Sequence, residues 1–200
     1  MKILNLYAGI GGNRKLWGNE HDITAVEYNP DIAKIYQDFF PSDKVIVTDA
    51  HEYLLEHFKE YDFIWSSPPC PTHSDIRRMA VQAGDLQPKY PEMSLYQEII
   101  LLQTFFKGSY CVENVKPYYK PLIPAQERDR HLFWANFYIT EYGHTVAKHN
   151  ASISQQQKIL DVDLTPYKNI DKRQILRNCV LPEVGKHILD CFTSQQRQLL

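Results

Sequence analysis

"KILNLYAGIGG", Lys2 to Gly12, is the stretch on which the fold turns. A strand-length apolar run ends in Gly9, Gly11 and Gly12, and "NRKLWG" then reads as a short helical opening. A second apolar run, "DITAVEYNP", ends in Glu27, 18 residues after Gly9, and a turn signal. Glycines between a strand and a helix let a ligand come close to the backbone. A carboxylate about 20 residues further on, at the end of the next strand, accepts both hydroxyls of a ribose. "AGIGG" alone is a tight turn; with Glu27 in place it reads as a nucleoside site. The stretch has no third glycine at dinucleotide spacing and no Gly-Lys-Ser phosphate loop. That favours a nucleoside cofactor without phosphates, and S-adenosylmethionine fits.

Working outward, Ile32, Ile35, Tyr36 and Phe39 have helical spacing within Asp31 to Phe39. "KVIVTDA" is a third strand ending in Asp49, followed by the helix "HEYLLEHF". Asp49 serves either to accept from an adenine amino group or to cap that helix. "YDFIWSSPP" is a fourth strand, and Thr72 to Pro91 is polar with no clear period. Ser94 to Phe106 reads as a buried helix, with Ser94 as N-cap and Gln97 three residues on. "SYCVENV" is a fifth strand; later strands are expected at "NFYITEY" and "HTVAKH". Arg173 to Cys191 is mostly helical, interrupted by Pro182.

Strands alternating with helices predict an α/β fold, a doubly wound, mostly parallel sheet of Rossmann-like type. Right-handed crossovers put every strand's C-terminal end on one edge, where ligands of such sheets bind. Glycines, Glu27, Asp49, Cys70 and Glu113 converge there. The 200 residues read as a single catalytic domain without repeats or linkers.

At 44% hydrophobic and 23% charged residues, the composition is that of an ordinary globular chain. A net charge of −2 neither demands nor excludes a nucleic-acid partner. No apolar run approaches a membrane span, and strand pattern begins at the first residues, so neither membrane anchoring nor a signal peptide is expected. Cys70, Cys111, Cys179 and Cys191 form no CxxC pair, so no metal site is expected and reduced thiols in a cytoplasm are the default.

"SSPPCPTHS", Ser66 to Ser74, sets Cys70 among prolines at the end of a strand. Proline stiffens backbone and removes donors. That suits a thiol fixed in one orientation better than a core cysteine. Cys111, Cys179 and Cys191 read as small buried hydrophobes.

"NLYAGIGG", "VEYNP", "SSPPCPTHS", "CVENV", "QERDR" and "RNCVLPEVGKHI", in this order, resemble the motifs of the DNA cytosine-5 methyltransferases. The resemblance runs from residue 3 to about residue 190. It implies an S-adenosylmethionine-dependent methyltransferase fold, with the cofactor held by Tyr7, Ala8, Gly9, Ile10, Gly11, Gly12, Glu27, Tyr28, Asp49, Ala50, Pro69, Asn178 and Val180. It implies Cys70 as nucleophile at carbon 6 of a cytosine flipped out of DNA. Glu113 would supply a proton or strong hydrogen bond at ring nitrogen 3. Arg128 and Arg130 would hold the cytosine carbonyl oxygen and the thiol loop. Asn114 steadies a turn. Thr72 to Pro91 matches the family's mobile loop, in which Ser74, Arg77, Arg78 and Lys89 would bind DNA; Ser74 serves either a phosphate or a helix cap. Pro71, Arg177 and Leu181 depart from the family pattern.

The family carries a target-recognition region between the arginine pair and the last motif. Here Arg130 and Asn178 bracket 47 residues, from which at least two core strands are expected. Tyr138 to Lys172, with Lys148, His149 and Lys168, offers at most a small substitute. Flipping a base costs a few kcal/mol, so a short target, a homodimer, a separate specificity partner or a single-stranded substrate follows. RNA cytosine, a free cytosine nucleotide, and a silent cofactor- or DNA-binding subunit are the competing readings. The setting expected is the cytoplasm of a bacterial or phage-infected cell.

Overall fold

Strand β1 (Lys2–Leu6) has Ile3, Leu4, Asn5 and Leu6 with no exposed surface. A strand covered on both faces reads as a continuous apolar run, as parallel central strands do. The computed structural model describes residues 1–143 and 151–198. A seven-stranded sheet runs in the order β3-β2-β1-β4-β5-β7-β6. Its strands are β1, β2 (Asp22–Glu27), β3 (Lys44–Val47), β4 (Phe63–Ser66), β5 (Ser109–Val115), β6 (Gln126–Arg128) and β7 (His131–Ala135). The first five pair in parallel; β7 is antiparallel to β5, and β6 to β7. The fold is therefore the mostly parallel Rossmann-like α/β sheet expected.

Alternation along β1 sends Leu4 and Leu6 to one face and Ile3 to the other. Leu4, Leu6, Ile64 and Val112 pack with α2 (Ala50–His57) and α4 (Ser94–Phe105), through Leu54, Ile99 and Leu102. Ile3, Ile23, Phe63 and Phe133 pack with Trp17 and α7 (Pro182–Gln198), through Val184, Ile188 and Phe192. Asn29 caps α1 (Pro30–Phe39), accepting from the Asp31 and Ile32 amides. A third cluster joins Ile35 of α1 to Ile10 of the glycine turn. Leu160 of α5 (Ile153–Leu160), Leu164, and Ile175 and Leu176 of α6 (Lys172–Asn178) complete it.

Five local expectations are corrected. "NRKLWG" forms successive turns, not a helix. The reason lies in its side chains, which are claimed by the core. Asn13 exchanges amide hydrogen bonds with buried Asn5 (Nδ2 to Oδ1, 2.7 Å), and Trp17 donates to the Gly185 carbonyl at 3.0 Å. Arg14, 2% exposed, forms a bidentate pair with Asp43 at 2.8 and 3.0 Å. "NFYITEY" is not a strand; the last strands are β6 and β7, and Ile139 is buried from irregular backbone. Only β7 comes from the stretch between Arg130 and Asn178 among the described residues, and the rest of its regular structure there is helical. Ser94 is the first helical residue rather than the cap of α4; Met93 is the N-cap and makes no side-chain bond. Thr72 to Pro91 holds a helix, α3 (Asp75–Gln82), capped by Ser74 and with no buried residue. The expected strand "HTVAKH", with Lys148 and His149, lies outside the described residues.

Candidate active site

Parallel pairing brings Tyr7, Glu27, Asp49 and Pro69-Cys70 to one edge of the sheet, following β1, closing β2, following β3 and following β4. Glu113 lies near the same end of β5, where Ser66 pairs with Val112.

The glycine turn is built around backbone conformations that side chains resist. Gly9 and Gly11 have φ of 55° and 78°. Tyr7 also sits at φ 54°, a left-handed conformation uncommon for a residue with a side chain and typical of functional sites. A Cβ on Gly9 would meet nothing within 4 Å, so the turn opens onto free space. A Cβ on Gly12 would lie 2.2 Å from both Cys179 Sγ and the Val180 carbonyl oxygen. Cys179 and Val180, which follow α6, therefore back directly onto the turn.

Glu27 accepts from the Gly9 amide at 3.0 Å and from the Asn29 amide at 2.9 Å, one oxygen each. Asp49 Oδ1 caps α2, accepting from the amides of His51 (2.8 Å) and Glu52 (3.0 Å). Tyr28 is 75% exposed and Val47 53%, unusual for such side chains at strand ends. Val47 pairs with Glu27 across β3 and β2, Tyr28 follows Glu27, and Ala50 is buried at the start of α2.

One buried group here escaped sequence reading. Glu98 of α4 is 1% exposed. It accepts from the Tyr7 hydroxyl at 2.5 Å and the Ser66 hydroxyl at 2.7 Å, and lies 3.0 Å from His51 Nδ1. Burial and the neighbouring Glu98 hold the Tyr7 hydroxyl well above the usual tyrosine range. The hydrogen bond to Glu98 pushes His51 up. A signal was present: Leu95, Glu98, Ile99 and Leu102 share the buried helical face, and Glu98 is its one charge.

Cys70 is half-buried. Burial, and then the charge of Glu113, raise its thiol above the ordinary cysteine range, so the thiol is protonated at rest. Its carbonyl accepts from the His73 and Ser74 amides at 3.0 and 3.2 Å. Buried Asn114 donates to the Pro68 carbonyl at 3.0 Å, steadying the Pro-Cys turn as expected. Glu113 is 8% exposed, and His131 Nε2 lies 3.7 Å from its Oε1.

Arg128 is buried, but its guanidinium is turned to the carbonyl oxygens of Ile139 (Nε, 2.9 Å) and Glu127 (Nη1, 2.7 Å) and paired with Glu141 at 3.4 Å. Arg130 lies exposed in the β6–β7 turn, where its carbonyl accepts from the Lys116 amide. Arg77 donates to the Gln87 carbonyl at 3.1 Å, Arg78 pairs with Asp75 at 2.9 Å, and Lys89 is exposed. None of the four cysteines forms a disulfide, and among the described residues no three metal-binding side chains cluster. No described helix is long and apolar enough to cross a membrane.

This sheet order, with a glycine turn and carboxylates on its C-terminal edge, is that of the Rossmann-like methyltransferase fold. The chain belongs to the C-5 cytosine-specific DNA methylase family, whose family model matches residues 1–117. Among solved structures it is similar to the Entamoeba histolytica methyltransferase EhMeth, at 10% identity over 98% of each chain with a TM-score of 0.57. It is also similar to a mutant of Spodoptera frugiperda DNMT2, at 25% identity over 57% of this chain and 35% of that one, TM-score 0.38. A SAM-dependent methyltransferase from Agrobacterium tumefaciens shares 11% identity over 60% of this chain and 40% of that one, TM-score 0.41. No curated protein matches the chain.

Proposed function

We propose that this enzyme moves a methyl group from S-adenosylmethionine to carbon 5 of cytosine in DNA, through a covalent bond from Cys70 to carbon 6, within one catalytic domain. One observation carries the reading. A protonated thiol on a proline-stiffened turn lies within electrostatic reach of a buried carboxyl, beside the glycine turn.

The cofactor supplies an electrophilic methyl group. Tyr7 to Gly12 would face it with backbone, Glu27 would take the ribose hydroxyls, and Tyr28 and Val47 would flank the adenine. Asp49 would use its second oxygen, the first being its helix cap. Ala50, Pro69, Asn178 and Val180 would close the pocket. Cytosine carbon 5 is a poor nucleophile until a thiolate adds at carbon 6 and makes the ring an enamine. Cys70 does so once its proton leaves, while Glu113 donates at ring nitrogen 3. Arg130 would take the cytosine carbonyl oxygen. Arg128, holding the Ile139 carbonyl, would steady the strand end beside it. Ser74, Arg77, Arg78 and Lys89 would meet phosphates, the first three after leaving their present partners.

A second reading rests on the segment after β7. Its described residues bury Leu160, Leu164 and Leu176 against α1 and the glycine turn. Little remains for reading a duplex, which favours a short target, a single strand, RNA or a free nucleotide.

Incubation with methyl-labelled S-adenosylmethionine and duplex DNA, single-stranded DNA, RNA or dCTP tests both readings. Label in 5-methylcytosine of DNA, lost in Cys70→Ser, is the expected result. Label only in RNA or nucleotide sinks the DNA assignment. Transfer by Cys70→Ser ends the covalent mechanism.

A further inference from the structure

Glu113 has a neighbour to which the motifs give no role. We propose that His131 is the positioning residue that returns a proton to Glu113 in each turnover. The inference rests on the cytosine chemistry above, which asks Glu113 to donate.

β5 and β7 are antiparallel, with Val115 opposite His131 and Glu113 opposite Phe133. Glu113 and His131 are therefore diagonal neighbours on one face, and Nε2 to Oε1 is 3.7 Å. The burial is graded: the Glu113 side chain is 10% exposed and that of His131 26%. The histidine thus stands between an enclosed carboxyl and solvent.

The other groups around the pair are poorly suited to the task. Cys70 is the nucleophile, and Cys111 is fully buried with its thiol held protonated by that burial. Burial also raises the Tyr142 hydroxyl. Arg128 never releases its proton at ordinary pH, and it is committed to the Ile139 carbonyl. Lys116 is turned to Glu127, and Arg130 lies exposed in the turn. Of these side chains, imidazole alone exchanges protons readily near neutral pH.

The step balances. His131 imidazolium gives its Nε2 proton to the Glu113 carboxylate. The resulting acid gives that proton to ring nitrogen 3 as the Cys70 sulfur bonds to carbon 6, the thiol proton having left to water. His131 takes a proton back from water. Once carbon 5 carries the methyl group and has lost its proton to water, the carbon–sulfur bond breaks with its electrons returning to sulfur. Nitrogen 3 gives its proton back through Glu113 to water, leaving the carboxylate that His131 protonates in the next turnover. Neutralising Glu113 also removes a charge that keeps the thiol protonated, so one proton serves both partners.

The test follows adduct formation on duplex DNA carrying 5-fluorocytosine, with S-adenosylmethionine, from about pH 6 to about pH 9. Wild type should show a falling limb at high pH. His131→Phe should form adduct roughly 100-fold more slowly, lose that limb, and regain rate with added imidazole. Its substrate KM and its S-adenosylmethionine affinity by calorimetry should stay at wild-type values. A His131→Phe rate and profile equal to wild type overturn the assignment. So does a slow variant that keeps the limb and ignores imidazole, which marks a packing role. If wild type forms no adduct with any cytosine substrate, the cytosine chemistry fails and this role falls with it.

Discussion

Replacing Glu98 tests whether one buried carboxyl ties the glycine turn to the sheet. Glu98→Ala leaves the Tyr7 and Ser66 hydroxyls and His51 Nδ1 without their acceptor. A buried donor so stranded costs about 1–3 kcal/mol. Ser66 is fully buried and carries the whole penalty. The His51 side chain is 36% exposed and can turn to water, so its share is discounted. Adding the cavity, we expect Glu98→Ala to cost about 3–5 kcal/mol, a large part of the roughly 5–15 kcal/mol that holds a domain together. Glu98→Gln keeps an acceptor and should cost about 1–2 kcal/mol. Tyr7→Phe removes one donor only. In a double-mutant cycle with Glu98→Gln, read by urea unfolding, it should couple by about 1 kcal/mol. Calorimetry should show weaker S-adenosylmethionine binding in each, because Tyr7 holds a left-handed backbone that its anchored ring helps fix. Additive costs, or Glu98→Ala within about 1 kcal/mol of wild type, would refute the reasoning.

Four further outcomes follow from the same structure. Asp43→Ala strands the buried guanidinium of Arg14 and the Tyr36 hydroxyl that Asp43 accepts at 2.9 Å, and should cost about 3–5 kcal/mol by denaturant unfolding. Gly12→Ala must push Cys179 and Val180 off the turn and should lose both stability and cofactor affinity. Gly9→Ala meets no atom and should lose affinity with only about 1–2 kcal/mol of stability, for its positive φ. Because pairing with Glu98 raises His51, its protonated form stabilises the fold. That contribution is complete below the unfolded pKa and is lost as pH rises through the folded one. His51→Asn should therefore destabilise in acid and converge on wild type in alkali, as paired melts would read.

The legible parts of the chain were those where one pattern dominates. Central parallel strands are covered on both faces, so Ile3 to Leu6 and Phe63 to Trp65 declare themselves as apolar runs. The sheet's far edge does not. β6 is Gln-Glu-Arg, three polar residues held by a hairpin, and "NFYITEY" offers a more apolar decoy. Its Phe137 and Ile139 pack beneath α7 from irregular backbone instead. "NRKLWG" departs from its local pattern for a related reason. Helical propensity is local, whereas Asn13, Arg14 and Trp17 answer to Asn5, Asp43 and Gly185. At the site, glycine spacing and the Pro-Cys turn announce chemistry because few other roles need them. Glu98 and His131 matter through partners distant in sequence, which no spacing rule joins.

The contact between Trp17 and the Gly185 carbonyl spans 168 residues. Ribosomes add about 5–20 residues per second, so Trp17 waits on the order of ten to thirty seconds for the helix that covers it. The glycine turn is made well before α7, yet it is not completed until α7 arrives. Until α7 arrives, a buried tryptophan and the Asn5–Asn13 pair lack their cover, and a chain stalled short of Gly185 presents that surface to chaperones and proteases. The turn that precedes Trp17 is thus completed only after Gly185 has been made.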